Sequence, residues 1–158
     1  MLCKDSGMEA ILFTGIQAAG KSTFYKERFA DTHIRINLDM LKTRHREKKL
    51  FECCLEIQQS FVIDNTNLTR GDRQRYIPKI MEHGIVLHGY YFASSLEDAL
   101  GRNRLRGHRA IPEKGVAGAY KCLEPPSFDE GFSHLSRVEI RNGLFEVTRL
   151  ESDPAGRS

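Results

Sequence analysis

A short loop near the start of the chain has the composition of a phosphate-binding site. The stretch GIQAAGKST, at 15–23, follows the apolar run ILFT and precedes the helical pattern FYKERFA. Its spacing fits the Walker A pattern, in which backbone N–H groups surround phosphates, a lysine reaches the β- and γ-phosphates, and the first hydroxyl binds Mg²⁺. An ordinary glycine-rich turn is the alternative, and the strand before and helix after the loop disfavour it. The predicted nucleotide contacts are Gly15, Gln17, Ala18, Ala19, Gly20, Lys21 and Ser22, of which Ser22 is also a metal ligand.

Two aspartates follow predicted strands. Asp39 lies just beyond HIRIN, where the next helix begins, and its carboxylate could accept a proton from a hydroxyl that attacks a γ-phosphate. A helix N-cap is the alternative role for Asp39. Asp64 ends the apolar run FVI, as the metal-binding aspartate of a Walker B strand does, although a simple turn with Asn65 also explains it. The two carboxylates thus predict a general base and a metal ligand.

Two arginines in the segment RNRLRGHRAIP have the spacing of one helical face. Arg102 and Arg106 are four residues apart, whereas Arg104 lies about 200° around the helix from Arg102. Paired guanidinium groups can neutralise the charge that spreads over a transferring phosphate. A solvated helix end explains the spacing equally well. Gly107 is well placed to end this helix.

Alternating strand and helix patterns predict the fold that would bring these residues together. Strands are predicted at 9–14, 33–37, 61–64, 85–92, 134–140 and 144–149, helices at 21–30, 70–83, 95–106 and 113–121, and helical segments at about 40–59. Such alternation predicts a parallel sheet with right-handed crossovers, and Asn142-Gly143 predicts a hairpin between the last two strands. The expected fold is an α/β three-layer sandwich of the P-loop NTPase class, with the ligand beyond the carboxyl ends of the strands.

Length and composition predict a single soluble domain. The chain has 158 residues, of which 40% are hydrophobic and 28% charged. We expect one domain at 1–150 and a disordered tail at 151–158. No apolar run approaches the roughly 18 residues of a membrane span, and the first residues lack a secretory signal, so we expect a cytoplasmic protein without a membrane partner. The four cysteines show no Cys-x-x-Cys spacing and are expected to be reduced.

Basic residues are concentrated in two clusters, although the net charge is only +3. KTRHREKK occupies 42–49, and GRNRLRGHR occupies 101–109. Each cluster is explained by a solvated face or by contact with a polyanion such as nucleic acid. Composition alone leaves these two interpretations open.

Several segments together resemble one kinase family. GIQAAGKST, INLDMLK, VIDNTNLTRGDRQRY, RNRLRGHRAIP and LEPPSFDEGF occur in the same order as in phage and mammalian polynucleotide 5′-kinases. The resemblance extends from about residue 11 to residue 140. It implies a P-loop kinase fold with a helical lid, ATP and Mg²⁺ as cofactors, and 5′-hydroxyl ends of DNA or RNA as the substrate.

The resemblance also implies roles for individual residues. Lys21 and Ser22 match residues that hold phosphates and Mg²⁺, Thr23 lies near the α-phosphate, Asp39 matches the general base, and Arg102 and Arg106 match the lid arginines. Thr66, Asn67 and Arg73 match motif positions that we assign to substrate binding. Two positions depart from the phage pattern: Lys42 replaces an acceptor-binding arginine, and Asn65 replaces an aspartate. Lysine keeps the charge but lacks the bidentate guanidinium, so substrate contact at this position is expected to differ.

These observations favour an ATP-dependent polynucleotide 5′-hydroxyl kinase. The alternative is a P-loop kinase that phosphorylates a small-molecule hydroxyl on a sugar, nucleoside or antibiotic. A module that binds nucleotide without turnover is disfavoured because Asp39 accompanies both lid arginines. No phosphatase motif is present, so repair of 3′ ends would require association with separate end-repair enzymes. The sequence leaves the oligomeric state open.

Overall fold

A single mixed sheet organises the chain. The computed structural model describes residues 7–152, in which six strands have the order β2-β3-β1-β4-β5-β6. The strands are β1 (Glu9–Thr14), β2 (Ile34–Ile36), β3 (Phe61–Ile63), β4 (Val86–Phe92), β5 (His134–Arg141) and β6 (Leu144–Leu150). The first five are parallel and β6 is antiparallel to β5. The predicted α/β class is confirmed.

Helices connect the strands. They are α1 (Lys21–Arg28), α2 (Leu38–Leu41), α3 (Arg44–Glu56), α4 (Arg70–Arg73), α5 (Ile77–Glu82), α6 (Leu96–Arg104) and α7 (Glu113–Cys122). No helix within residues 7–152 is both long and apolar enough to cross a membrane. Most of the predicted tail, and Cys3, lie outside the described residues.

Two of the predicted helical regions each contain two helices. The helical segments predicted at about 40–59 are α2 and α3. Lys42, with a φ of 73°, ends α2, and Thr43 then caps α3 by accepting a hydrogen bond from the Arg46 amide. The helix predicted at 70–83 is interrupted between α4 and α5. Pro78 lies in the first turn of α5, where its missing N–H removes no helical bond, but it could not continue α4.

The core lies on both faces of the sheet and holds the end of β1 in place. Ala10 and Leu12 pack against one helical layer, and Ile11 and Phe13 pack against the other. A strand buried on both faces has a continuous apolar sequence rather than an alternating one, which explains the run AILF. The phosphate-loop sequence therefore starts from a strand whose last five residues are buried.

The last two strands form the predicted hairpin. Asn142 and Gly143 have φ values of 51° and 73°, as a type I′ turn requires, and Arg141 pairs with Leu144. Phe145 in this hairpin packs on Phe24 of α1, with ring centroids 5.1 Å apart. The hairpin thereby covers the start of α1.

Arg73 is a buried structural residue, which corrects its predicted role in substrate binding. Its side chain is 1% exposed and forms a bidentate ion pair with Glu130, at 2.7 and 3.1 Å. It also donates to the backbone carbonyls of Asn67, Leu68 and Glu124. Because these bonds occupy the guanidinium, it joins two loops and is not free to bind a substrate.

We expect Arg73→Ala to lower the free energy of unfolding by about 3–5 kcal/mol, because Glu130 would remain buried without a counter-charge. Arg70→Ala is the matched control. Arg70 pairs with Asp129 at the surface, where the Arg70 side chain is 47% exposed and that of Asp129 is 67% exposed, so its loss should cost far less stability. Urea unfolding of the variants measures both effects, and equal losses at the two arginines would contradict the structural role of Arg73.

Candidate active site

The loop at residues 15–20 is held in an unusual backbone conformation from both sides. Ala18 and Gly20 have φ values of 59° and 95°. The Gly15 amide donates to the Thr66 carbonyl at 3.0 Å, and Arg102 Nε donates to the Ala18 carbonyl at 2.8 Å. A Cβ atom on Gly15 would lie 2.8 Å from Phe92 Cβ, so only glycine fits there. The N-cap of α1 is Gly20, which has no side chain to cap the helix, so the first turn is open to an anion.

Lys21 folds back onto this loop. Its Nζ donates to the carbonyls of Gly15 and Ile16, at 2.8 and 2.6 Å. Burial lowers the pKa of Lys21 to about 8, a shift that Asp64 and Asp39 oppose and Arg106 increases. These influences show that the lysine shares one electrostatic environment with the predicted base, the predicted metal ligand and one lid arginine.

Arg35 joins the two predicted metal ligands. Its Nε donates to Asp64 Oδ2 at 2.7 Å, and its Nη2 donates to Ser22 Oγ at 2.9 Å. Asp64 is 2% exposed, whereas Ser22 is exposed. The guanidinium also lies over the Tyr25 ring, 5.7 Å from its centroid. Arg35 thus connects Ser22 and Asp64, as a hydrogen-bond donor to the hydroxyl and as the counter-charge of the carboxylate.

Asp39 is the second residue of α2. Its side chain is exposed and lines a cavity that Lys21, Ser22 and Asp64 also line. Asn37 is the N-cap, and its Oδ1 accepts a hydrogen bond from the Met40 amide at 2.9 Å. The alternative in which Asp39 caps the helix is therefore wrong. Its carboxylate has no capping bond to maintain, so it can serve as a proton acceptor.

The two predicted lid arginines lie in and just after α6, near the loop. Arg102 binds Ala18 and Ser94, and Arg106 lines the same cavity. The helix ends at Arg104 rather than at 106, but Arg106 keeps a helical φ of −75°, so it stays on the expected side. Arg104 points away and pairs with Glu113 at 2.8 Å. Gly107 then turns the chain, with a φ of 61°.

One cavity of about 460 Å³ brings most of the predicted residues together. The predicted residues that line it are Gln17, Ala18, Gly20, Lys21, Ser22, Thr23, Asp39, Asp64, Thr66, Arg102 and Arg106. Gly15 and Ala19 are buried residues of the loop and do not line the cavity, and Lys42 is exposed beyond α2. A cavity of about 530 Å³ at the opposite end of the strands, around Glu9 and His83, has neither lysine nor arginine in its described lining.

Asn67 supports the loop, which corrects its assignment to substrate binding. The residue is 5% exposed, and its Nδ2 donates to the Phe13 carbonyl at 2.8 Å. It has a φ of 44°, a conformation that asparagine tolerates better than most residues. Asn67 therefore fixes the strand end from which the phosphate loop starts.

The sequence predictions missed some residues at the cavity. Arg35, Arg109, Ile140 and Phe145 line it or bind its side chains. Arg35 leaves a signal in the sequence, because it is a charged residue that alternates with the apolar Ile34 and Ile36 in the strand that leads to Asp39. The hairpin residues leave none, since their contact with α1 depends on the position of β6 in the sheet.

We expect affinity for ADP to fall as the pH rises above about 8. A bound phosphate stabilises the charged lysine and so raises the pKa of Lys21 above its value of about 8 in the free protein. Affinity is therefore complete below the lower pKa and is lost between the two values, where binding takes up a proton.

Calorimetry in buffers of different ionisation enthalpy measures this proton uptake. Lys21→Met should bind ADP more weakly and without the pH dependence, whereas Lys79→Met, at a surface lysine that pairs with Glu52, should keep the wild-type profile. A pH dependence that persists in Lys21→Met would assign the titration to another group.

A known protein resembles this chain in sequence. No family model matches the chain. The sequence is 28% identical over 143 residues to the bifunctional polynucleotide phosphatase/kinase of Schizosaccharomyces pombe, with 87% of this chain and 35% of that protein covered. The chain thus spans about a third of the length of this curated relative.

Solved structures with low sequence identity share the architecture. A gluconokinase from Sinorhizobium meliloti has a TM-score of 0.56 and 17% identity, covering 83% of this chain and 82% of that one. Chaetomium thermophilum Kti12, solved with ADP-AlF3, has a TM-score of 0.59 and 15% identity, covering 82% and 88%. The Streptococcus pneumoniae PezAT toxin-antitoxin system has a TM-score of 0.62 and 13% identity, covering 87% and 70%. The chain therefore has the P-loop kinase fold, and its sequence resembles polynucleotide kinases.

Proposed function

We propose that the protein is an ATP-dependent kinase that transfers the γ-phosphate to the 5′-hydroxyl of DNA or RNA. The observation that carries the proposal is the convergence of Lys21, Asp39 and the lid arginines on one cavity at the end of β1. The sequence similarity to a polynucleotide phosphatase/kinase supports the choice of acceptor.

The phosphate groups of ATP would bind to the cations that already line the cavity. Lys21, Arg102 and Arg106 come from opposite sides of it. Lys21 and Arg102 now donate to carbonyl groups of the loop, which are neutral acceptors. A phosphate oxygen is a stronger acceptor for a charged donor, so these side chains can exchange one partner for the other. Charges held in place before the reaction stabilise a transferring phosphate without reorganisation.

Asp39 would act as the general base. Its carboxylate is exposed to the cavity, so an acceptor hydroxyl can reach it. Accepting the proton makes the hydroxyl oxygen a better nucleophile toward the γ-phosphorus, and the ADP oxygen leaves as the new bond forms.

Ser22 and Asp64 fit a magnesium ion. Hydroxyl and carboxylate oxygens are hard ligands of the kind that Mg²⁺ prefers. Arg35 now bridges these two oxygens, so it must release both when a metal ion binds there. The ion would neutralise charge on the β- and γ-phosphates.

The surface beside Asp39 suits a polyanionic acceptor. Lys42 directly follows α2, and Arg46 donates to the Leu41 carbonyl at the end of that helix. Both residues are exposed, as are Lys48 and Lys49 further along α3. Such a basic surface next to the base would bind the phosphates that follow a 5′-hydroxyl end.

The test is transfer from γ-labelled ATP, with Mg²⁺, to 5′-hydroxyl oligonucleotides in parallel with gluconate, sugars, nucleosides and aminoglycosides. We expect labelled oligonucleotides, with affinity that falls by about 0.7 log units per decade of salt for each phosphate contact.

Asp39→Asn should retain ADP binding and the thermal midpoint but lose transfer at least a hundredfold, because an amide cannot accept the proton.

Other outcomes would favour different functions. Label on a small molecule, with a flat salt response, would support the alternative suggested by the fold of the gluconokinase. No label on any acceptor, despite tight ATP binding, would indicate a nucleotide-gated module. Normal turnover by Asp39→Asn would show that the base lies elsewhere.

The lid arginines give a second prediction with an internal control. Arg102→Ala and Arg106→Ala should each slow single-turnover transfer at least tenfold, the effect of losing about 1.4 kcal/mol of transition-state stabilisation. Arg104→Ala removes a guanidinium from the same segment that pairs only with the exposed Glu113, so its rate should stay near that of the wild type. A larger loss at Arg104 than at its neighbours would overturn the lid assignment.

A further inference from the structure

A buried carboxylate lies within the basic segment 42–49. Glu47 is 2% exposed, although its neighbours in sequence are mostly exposed cations. Three donors converge on it: the Tyr76 hydroxyl at 2.7 Å, Arg44 Nη1 at 2.9 Å and Asn65 Nδ2 at 2.9 Å. The site described above uses none of these bonds, and their positions show what Glu47 holds in place.

Asn65 connects Glu47 to the helix that carries Asp39. While Nδ2 donates to Glu47, Oδ1 accepts the Leu38 amide at 2.9 Å. Leu38 is the first residue of α2 and directly precedes Asp39. The carboxylate at one end of Asn65 therefore determines that the oxygen, and not the nitrogen, faces the helix.

The helix α2 depends on such external bonds. It has four residues, too few for a helix to be stable by its own hydrogen bonds. Its other anchor is Asn37, which caps it and donates through Nδ2 to the Asp64 carbonyl at 2.6 Å. Two asparagines thus hold the α2 backbone against the end of β3.

The Tyr76 hydroxyl is a hydrogen-bond donor to the carboxylate of Glu47. Burial and the bond to Glu47 raise the pKa of Tyr76 to about 12, so the phenol remains protonated at physiological pH. Arg44 supplies the compensating positive charge. The carboxylate of Glu47 thus accepts from Tyr76 and Arg44 through one oxygen, and its other oxygen is the acceptor for Asn65.

We propose that Glu47 is a positioning residue, which acts through Asn65 to place Asp39 for proton acceptance. The inference rests on the proposed kinase function. It also divides the basic segment by role: Arg44 serves the buried carboxylate, and the exposed cations remain for the acceptor.

The network allows a swap of donor and acceptor. In Glu47→Gln, the glutamine NH₂ group would face the NH₂ group of Asn65, and two donors cannot form a hydrogen bond. If the Asn65 amide flipped to present its oxygen to the glutamine, its NH₂ group would face the Leu38 amide and that hydrogen bond would be lost. In Asn65→Asp, two carboxylates face each other. In the double variant Glu47→Gln/Asn65→Asp, the new glutamine donates to the new aspartate, which still accepts from Leu38, while the glutamine oxygen still accepts from Tyr76 and Arg44.

We expect each single variant to lower kcat at least tenfold with KM for ATP changed less than threefold, because the ATP-binding loop is not part of the network. The double variant should recover to within threefold of wild-type kcat. Hydrogen exchange of the Leu38 amide should accelerate at least tenfold in the single variants and return toward the wild-type rate in the double variant. Glu52→Gln, the same change on the surface of α3, should leave all these quantities unchanged.

The outcomes separate this inference from the proposed function. Unchanged kcat in both single variants, or loss without recovery in the double variant, would overturn the positioning role. If the wild-type protein transfers phosphate to no acceptor, the proposed function fails. Leu38 exchange then still tests the tether, because an unchanged rate in the folded single variants overturns it and recovery in the double variant supports it.

Discussion

The site depends on the parallel alignment of β1 with β3, because both strands end at the same edge of the sheet. The register pairs Leu12 with Ile63, so the phosphate loop and the DNTN segment, residues 64–67, leave the sheet side by side. The bond from the Gly15 amide to the Thr66 carbonyl joins the two segments directly. Lys21, Ser22, Asp64 and Thr66 follow these two strand ends and line the cavity together.

Three cations at the cavity donate hydrogen bonds to protein acceptors that they could exchange for other partners when a ligand binds. Lys21 and Arg102 bind loop carbonyls, and Arg35 binds Asp64. These bonds satisfy buried or partly buried donors without a ligand, which would otherwise be costly. They also hold the cations where phosphate oxygens can replace the carbonyls. The same arrangement therefore stabilises the free protein and prepares it for an anionic ligand.

Two buried carboxylates support the site from behind. Glu130 fixes Arg73 and through it the backbone after Asn67, and Glu47 fixes Asn65. Each is compensated by an arginine, in agreement with the high cost of burying an unpaired charge. The DNTN segment is thus held between two ion pairs, and its backbone can present Thr66 and Asp64 to the cavity with little freedom.

The sequence by itself determined the features that depend on neighbouring residues. The phosphate loop, the strand and helix order, the hairpin turn at Asn142-Gly143 and the α/β class follow from local spacing and turn chemistry. Helix limits were less accurate. The first helix after β2 begins at Leu38 rather than at 40, and the helix predicted at 70–83 is two helices, because Pro78 cannot continue α4.

Only the tertiary structure decided what a given charged residue binds. Arg73 matches a functional motif but pairs with Glu130, which lies 57 residues away in the chain. Glu47 belongs to a basic surface cluster in sequence, yet burial against Tyr76 makes it an internal anchor. Arg35 reaches both Ser22 and Asp64 because β2 lies next to β3. Local pattern reveals which side chains carry charge, but the partner of each charge depends on distances that only the packed sheet establishes.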